Sequence, residues 1–229
     1  MYQNIEIVLI LNGCSKRKIK KNIIELIKKV GLYKFGLDNR KFSIDKENKC
    51  INPSLSSIKN FSPTISETLY NLGLQQYETF CDLLVAMKNS GIADSRIQDL
   101  INIEYFSDYG DMKHLSHYFE IFQIFYSNKK FSSQIKKEKA FDLGIDYDVI
   151  RKHCESETIK TFMKIDAKSI INDICKDFTE KSTFKEKLLS RYDVLGYMDI
   201  VDKKYSGYCF VEDLNVDYSP KLKLYALAN

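Results

Sequence analysis

The chain has 229 residues, of which 44% are hydrophobic and 29% charged, and a formal net charge of +4. That length can bury a proper core, and that balance is typical of ordinary soluble globular proteins rather than disordered or collagen-like chains. No stretch approaches the roughly 18 apolar residues of a membrane span, and +4 is too small to identify a polyanionic partner by itself.

The six cysteines, Cys14, Cys50, Cys81, Cys154, Cys175 and Cys209, are scattered with no CxxC pair. Their spacing predicts a reduced, cytoplasmic setting rather than a disulfide scaffold, with no membrane partner. Leu11-Asn12-Gly13-Cys14 has the outline of a lipoprotein cleavage site. The preceding segment has no Lys or Arg and includes Glu6, and its apolar run from Ile7 to Leu11 is too short for a signal.

Ile5 to Leu11 is short, β-branched and apolar, a strand or the end of a helix. Ser15 then caps a helix whose apolar stripe runs through Ile19, Ile23, Ile27 and Val30 and stops at Gly31. Its stretch SKRKIKKNIIELIKK holds seven basic residues against one acid. Such a face either steers the chain toward phosphates or is the solvated side of an amphipathic helix. Next, Phe42 and Ile44 alternate with polar neighbours, predicting a β-hairpin turned by Lys46-Glu47-Asn48.

SLSSIKNFSPTISETLYNLG, residues 54–73, reads as two short helices joined at Asn60-Phe61-Ser62. Ser62 followed by Pro63 is a helix cap and first-turn pair, while Thr64 and Glu67 fit a capping box one register later. TFCDLLVAMKNSG predicts a helix with Phe80, Leu83, Leu84 and Met87 inward and Gly91 as its stop. DSRIQDLINI predicts another, capped by Asp94, burying Ile97, Leu100 and Ile101. FSDYG is a turn. DMKHLSHYFEIFQIFYS is a helix with a core stripe of Met112, Leu115, Phe119, Phe122 and Tyr126.

From Ser127 to Asp148 the chain turns polar and lysine-rich, which predicts a boundary. Helices are expected at SETIKTFMKI, at DAKSIINDICKDF capped by Asp166, and at TFKEKLLSRYDVL ending near Gly196. Beyond Gly196 the period changes from 3.6 to 2. YMDIVDKK, GYCFVEDLNV and PKLKLYALA read as strands linked by turns near Lys203 and Tyr218. Three such strands with open edges do not close a barrel by themselves.

Chemistry-bearing clusters are sparse. Asp111, His114 and His117 share only a loose helix face, and His153-Cys154 has nothing tying it to them, so no metal site is expected. Asp142, Asp146 and Asp148 sit in a turn-like region rather than on a rigid strand, which predicts a helix cap at Asp146 rather than a two-metal centre. Glu212-Asp213 is an equally poor acid/base pair. No nucleophile elbow, GxxxxGK[ST] loop or GxGxxG turn occurs, so no catalytic residue and no cofactor is expected.

The hairpin at Asn60 is the best functional candidate. A helix–hairpin–helix offers backbone N–H groups and the positive end of its second helix to phosphates. The expected DNA-backbone contacts are Lys59, Asn60, Ser62 and Thr64, joined by Lys16, Arg17, Lys20 and Lys21 of the basic helix. Asn60 and Ser62 stand where close backbone approach favours glycine.

INPSLSSIKNFSPTISETLYNL, YETFCDLL and DSRIQDLINIEYFSDYG, in that order, resemble the helix–hairpin–helix region of bacterial replicative DNA polymerase III alpha subunits. Ile58-Lys59 matches the family's hairpin approach, Phe80 and Asp82 its next helix, Arg96 with Leu100-Ile101 the one after, and Phe106 to Gly110 the closing turn. The segment before the hairpin is similar to phage-like members, and YDVLGYMDIVDKKYSGYCFVEDL to the junction entering the family's OB-fold. Where this chain has Asn60-Phe61-Ser62, the family usually has Gly-x-Gly.

The resemblance implies a mainly α fold, a helix–hairpin–helix region followed by a partial, truncated antiparallel OB-like segment. It implies an end-of-fingers segment over 1–50, the hairpin region over 51–127, a helical connector over 128–193 and OB-like strands over 194–229. The implied role is to grip duplex DNA during replication, with the remaining polymerase segments and a sliding clamp as partners. The catalytic aspartates and their Mg²⁺ would belong to a palm outside this chain. The competing expectation is a helical scaffold whose open strands pair with a partner chain.

Overall fold

A computed structural model describes residues 33–45 and 50–197, together with two short paired segments, Tyr218–Ser219 and Leu224–Tyr225. The basic helix expected from Ser15, with Lys16, Arg17, Lys20 and Lys21, lies outside the described residues. So do the Lys46-Glu47-Asn48 turn and most of the strands expected after Gly196.

The first hairpin forms as its alternation predicts. Strand β1 (Ser43–Asp45) pairs antiparallel with β2 (Cys50–Asn52), placing Ile44 opposite the buried Ile51. Next come helix α1 (Pro63–Gly73), which buries Leu69 and Leu72, and helix α2 (Phe80–Asn89), which buries Phe80, Leu83, Leu84 and Met87. Thr79 and Asp82 form a complete capping box at the start of α2, and Gly91 ends the run at φ +81°. At Gly73, α1 crosses the chain at Gly36. A Cβ on Gly73 would stand 3.1 Å from the Gly36 nitrogen and 3.2 Å from its Cα.

Helix α3 (Asp94–Asn102) buries Ile97, Leu100 and Ile101 as expected, but Asp94 does not cap it. Ala93 holds the cap position, and the Asp94 carboxylate lies 2.5 Å from Lys88 Nζ. The ion pair with the preceding helix takes the group that sequence assigns to the cap.

Helix α4 (Met112–Phe125) is the spine. Asp111 caps it, and Met112, Leu115, Phe119 and Phe122 are all buried. Its far end runs into a tight hairpin of β3 (Tyr126–Ser127) and β4 (Lys130–Phe131). Asn128 and Lys129 both have positive φ, +50° and +60°, the signature of a two-residue type I′ turn.

The polar stretch after Ser127 is not structureless. Strand β5 (Gln134–Lys136) leads through two short helices, α5 (Lys137–Asp142) and α6 (Tyr147–Arg151), to β6 (Cys154–Glu157) and β7 (Thr161–Ile165). The three strands form an antiparallel sheet in the order β5-β7-β6. The helix expected at SETIKTFMKI is therefore the β6–β7 hairpin, and the 128–193 segment is helical only in part. Lys164 explains the misreading. Its φ of +51° breaks the alternation of the strand, so Phe162 and Ile165 both turn inward at a helix-like spacing of three.

Helix α7 (Ala167–Lys176) is capped by Asp166 and buries Ile170, Ile171 and Cys175, as its pattern predicts. Helix α8 (Phe184–Leu195) has a Thr183/Glu186 capping box and ends on Gly196 at φ +72°. The backbone near Tyr218 is paired rather than only turned, with Tyr218 opposite Tyr225. The described fold is thus mainly α with small antiparallel sheets. One continuous apolar cluster runs from Tyr33 through α4 to Cys175.

Candidate nucleic-acid interface

The chain between β2 and α1 turns over twice in ten residues. Ser54 caps a single 3-10 turn, Leu55–Ser57, where sequence predicts a first helix. Pro53 and the left-handed residue at 60 leave room for one turn only. Ile58 C=O then accepts from the Phe61 N–H at 3.1 Å, closing a turn over Lys59 and Asn60. Asn60 sits at φ +67°, the left-handed position that type II turns reserve for glycine or asparagine.

Burial divides this turn cleanly. Ile58 and Phe61 are both only 4% exposed and sit in the core cluster, while Lys59, Asn60, Ser62 and Thr64 all face solvent. The apolar pair fixes the turn from beneath and leaves its polar groups outward.

The start of α1 is set by Ser62 rather than by Thr64. Ser62 Oγ accepts from the Ile65 N–H at 3.2 Å, and its carbonyl accepts from the Ser66 N–H at 3.1 Å. Glu67 is unavailable for the later capping box because Arg40 holds it at 3.1 Å. Pro63 has no N–H, so Thr64 carries the amide in this first turn that Ser62 does not satisfy. No acidic residue lies in that turn. Ser66 Oγ meets Ser56 Oγ at 3.2 Å, tying the 3-10 turn to α1.

A cleft of about 270 Å³ lies along the same helix, lined by Asp38, Arg40, Lys41, Ser43 and Glu67. Arg40 is not free to meet an anion there. It pairs with Asp38 at 2.9 Å and with Glu67, and it lies 3.7 Å over the Tyr70 ring. The hydrogen bond from Arg40 holds the Asp38 carboxyl below the usual carboxylate range. Lys41 faces solvent. Sequence inspection passes over Arg40 and Lys41, and their only signal is adjacency within a loop before a strand.

Comparison with known proteins supplies no relative. No family model matches the chain, and no curated protein or solved structure does either.

The remaining polar clusters are occupied structurally. Asp111 Oδ1 accepts from Ser182 N and Ser182 Oγ at 2.7 Å each, and Lys187 stands 3.1 Å from its other oxygen. Burial pushes the Asp111 carboxyl up, but hydrogen bonds from Ser182, Lys187 and Lys113 outweigh it and bring its pKa down to about 2. His114 Nδ1 lies 3.1 Å from the Phe178 carbonyl, and the His117 ring stacks on Phe178 at 4.4 Å. The Asp111/His114/His117 face thus holds the 178–187 segment against α4. His153 Nε2 meets Asp173 at 2.8 Å. Asp146 caps α6, accepting from the Asp148 N–H at 2.9 Å, as its position predicts. Among the described residues no group of three or more His, Cys, Asp or Glu is placed to hold a metal ion.

Proposed function

We propose that the chain binds the sugar-phosphate backbone of duplex DNA through the 58–64 hairpin, without reading bases. One observation carries this reading: a turn pinned from below by Ile58 and Phe61 presents Lys59, Asn60, Ser62 and Thr64 to solvent at a helix start free of acid. A phosphate placed there meets the Thr64 amide, the Ser62 and Thr64 hydroxyls, the Lys59 ammonium and the positive end of α1. Asn60 reaches the left-handed conformation that a glycine would supply. The missing glycines therefore cost the turn its closest backbone approach rather than its shape.

The setting we propose is the one implied by the resemblance to bacterial replicative DNA polymerase III alpha subunits, a duplex grip whose nucleotidyl-transfer chemistry lies on other residues. The order of the hairpin, the Thr79-capped α2 and the Arg96-bearing α3 supports it. Affinity for a random-sequence duplex measured across a salt series tests the grip. Binding should weaken steeply with salt and hardly vary with sequence, and Lys59→Glu should lower affinity and flatten the salt slope by about one phosphate contact. Undetectable binding at low salt would remove the reading and leave the helical scaffold in its place.

A further inference from the structure

The 58–64 hairpin follows directly on the 3-10 turn at Leu55–Ser57, and three hydroxyls tie that turn to the far end of α8. Ser57 Oγ lies 2.7 Å from the Ser54 carbonyl and 3.2 Å from the Tyr33 hydroxyl. The Tyr33 hydroxyl lies 3.2 Å from that of Tyr197. Proton bookkeeping fixes the direction of these bonds. A carbonyl only accepts, so the single Ser57 hydroxyl proton goes to Ser54. Ser57 Oγ therefore accepts from Tyr33, and the Tyr33 oxygen accepts from Tyr197. The relay runs one way, from Tyr197 through Tyr33 and Ser57 to the Ser54 carbonyl, and each bond polarises the next.

The relay ends where the hairpin begins. The Ser54 carbonyl also accepts from the Ser57 N–H at 3.0 Å, and the Ile58 N–H donates to the Leu55 carbonyl at 3.0 Å. Ile58 is the first of the two apolar anchors, and its carbonyl accepts from the Phe61 N–H. A displacement at Ser57 thus reaches Lys59 and Asn60 through one intervening residue.

The body of the protein places the start of the relay. Arg191 of α8 donates to the Ile103 carbonyl and lies 3.5 Å from Glu104. Two residues on from Ile103, the Tyr105 carbonyl accepts from the Phe35 N–H at 2.7 Å. One short stretch, 103–105, thereby holds both α8 and the segment that carries Tyr33. Gly196, at φ +72°, then turns the chain out of α8, and the next residue, Tyr197, meets Tyr33.

We propose that Tyr197 is a positioning residue for the hairpin, holding the 54–57 turn, and with it Lys59, in place through Tyr33 and Ser57. Its consequence for DNA rests on the backbone-grip reading above, whereas the relay itself does not. Docking of α8 and the grip on phosphate are on this view linked, although α8 supplies no phosphate contact.

Amide hydrogen exchange resolved by residue, together with duplex affinity, tests this on the full chain. Tyr197→Phe should speed exchange at Ile58 and Phe61 about 5-fold and leave the α4 amides at the parent's rates. It should lower affinity for a random-sequence duplex by a similar factor without changing the salt slope, because no phosphate contact is removed. In a Ser57→Ala background, which cuts the relay in the middle, Tyr197→Phe should have no further effect on Ile58 or Phe61. Unaltered exchange at Ile58 and Phe61 in Tyr197→Phe overturns the proposal, as does an undiminished effect in the Ser57→Ala background. Acceleration that extends to α4 also overturns it, since that is general destabilisation. Faster hairpin exchange with unchanged duplex affinity overturns the link to DNA. If the parent binds no duplex at low salt while both exchange results hold, the hairpin reading fails and Tyr197 still positions the turn.

Discussion

The hairpin at Ile58–Phe61 and the last helix, α8, are fastened to the same body by opposite means. The hairpin is held by two apolar side chains sunk in the core, with its polar groups outward. Helix α8 turns charge inward. Arg191 is 3% exposed and donates to the Ile103 carbonyl, with Glu104 at 3.5 Å, and Lys187 bridges Glu104 at 2.6 Å and Asp111 at 3.1 Å. Apolar anchoring is indifferent to pH and tolerant of outward substitution. A buried ionic latch is neither, because removing one partner leaves the other desolvated and unpaired. The surface proposed to meet DNA can therefore vary without loss of fold, while the docking of α8 cannot.

Substitutions can sharpen or break that contrast. The largest loss should come from the apolar spine: Phe122→Ala should cost about 3–5 kcal/mol, read as a fall in denaturant midpoint. Arg191→Met should come next, at about 2–3 kcal/mol, because the buried Ile103 carbonyl loses its donor and Glu104 keeps only Lys187. A variant as stable as the parent would show that the latch is dispensable. Gly73→Ala should cost about 1–3 kcal/mol, since its new methyl meets backbone at Gly36 rather than a side chain that can move.

Acid should discriminate further. The Asp111 carboxyl has a folded pKa of about 2, below its unfolded value, so it stabilises the fold above pH 4. That contribution, about 2 kcal/mol, is lost as pH falls from about 4 toward 2. Asp111→Asn should flatten that part of the stability–pH curve, and an unaltered curve would assign the acid sensitivity elsewhere. The smallest effect should be that of Lys59→Glu, within about 0.5 kcal/mol of the parent by denaturant titration. A large destabilisation there would mean that the hairpin tip carries structure as well as its proposed contact.

The helices from Pro63 to Phe125 were legible because each buries one stripe with a period of 3.6, as Leu83, Leu84 and Met87 do in α2. The caps were legible at Ser62, Asp146 and Asp166, where a short polar side chain has no stronger partner than its own helix. The cap failed at Asp94, where Lys88 competes for the carboxylate. The sheet over 134–165 was hidden for a related reason. Strands of three to five residues give too few alternations to establish a period of 2, and Lys164 interrupts one of them. Lys59, Asn60, Ser62 and Thr64, the hairpin residues expected to meet a DNA backbone, all face solvent. Its first arm was not, because SLSSI does not distinguish one 3-10 turn from a short helix. The glycine turn at Leu143-Gly144-Ile145 was visible in the sequence, but the surrounding lysines gave it the look of a linker.

Because one apolar cluster extends from Tyr33 to Cys175, opening the chain at either end exposes part of the same core. The described residues are therefore expected to unfold as one cooperative unit rather than in separate parts.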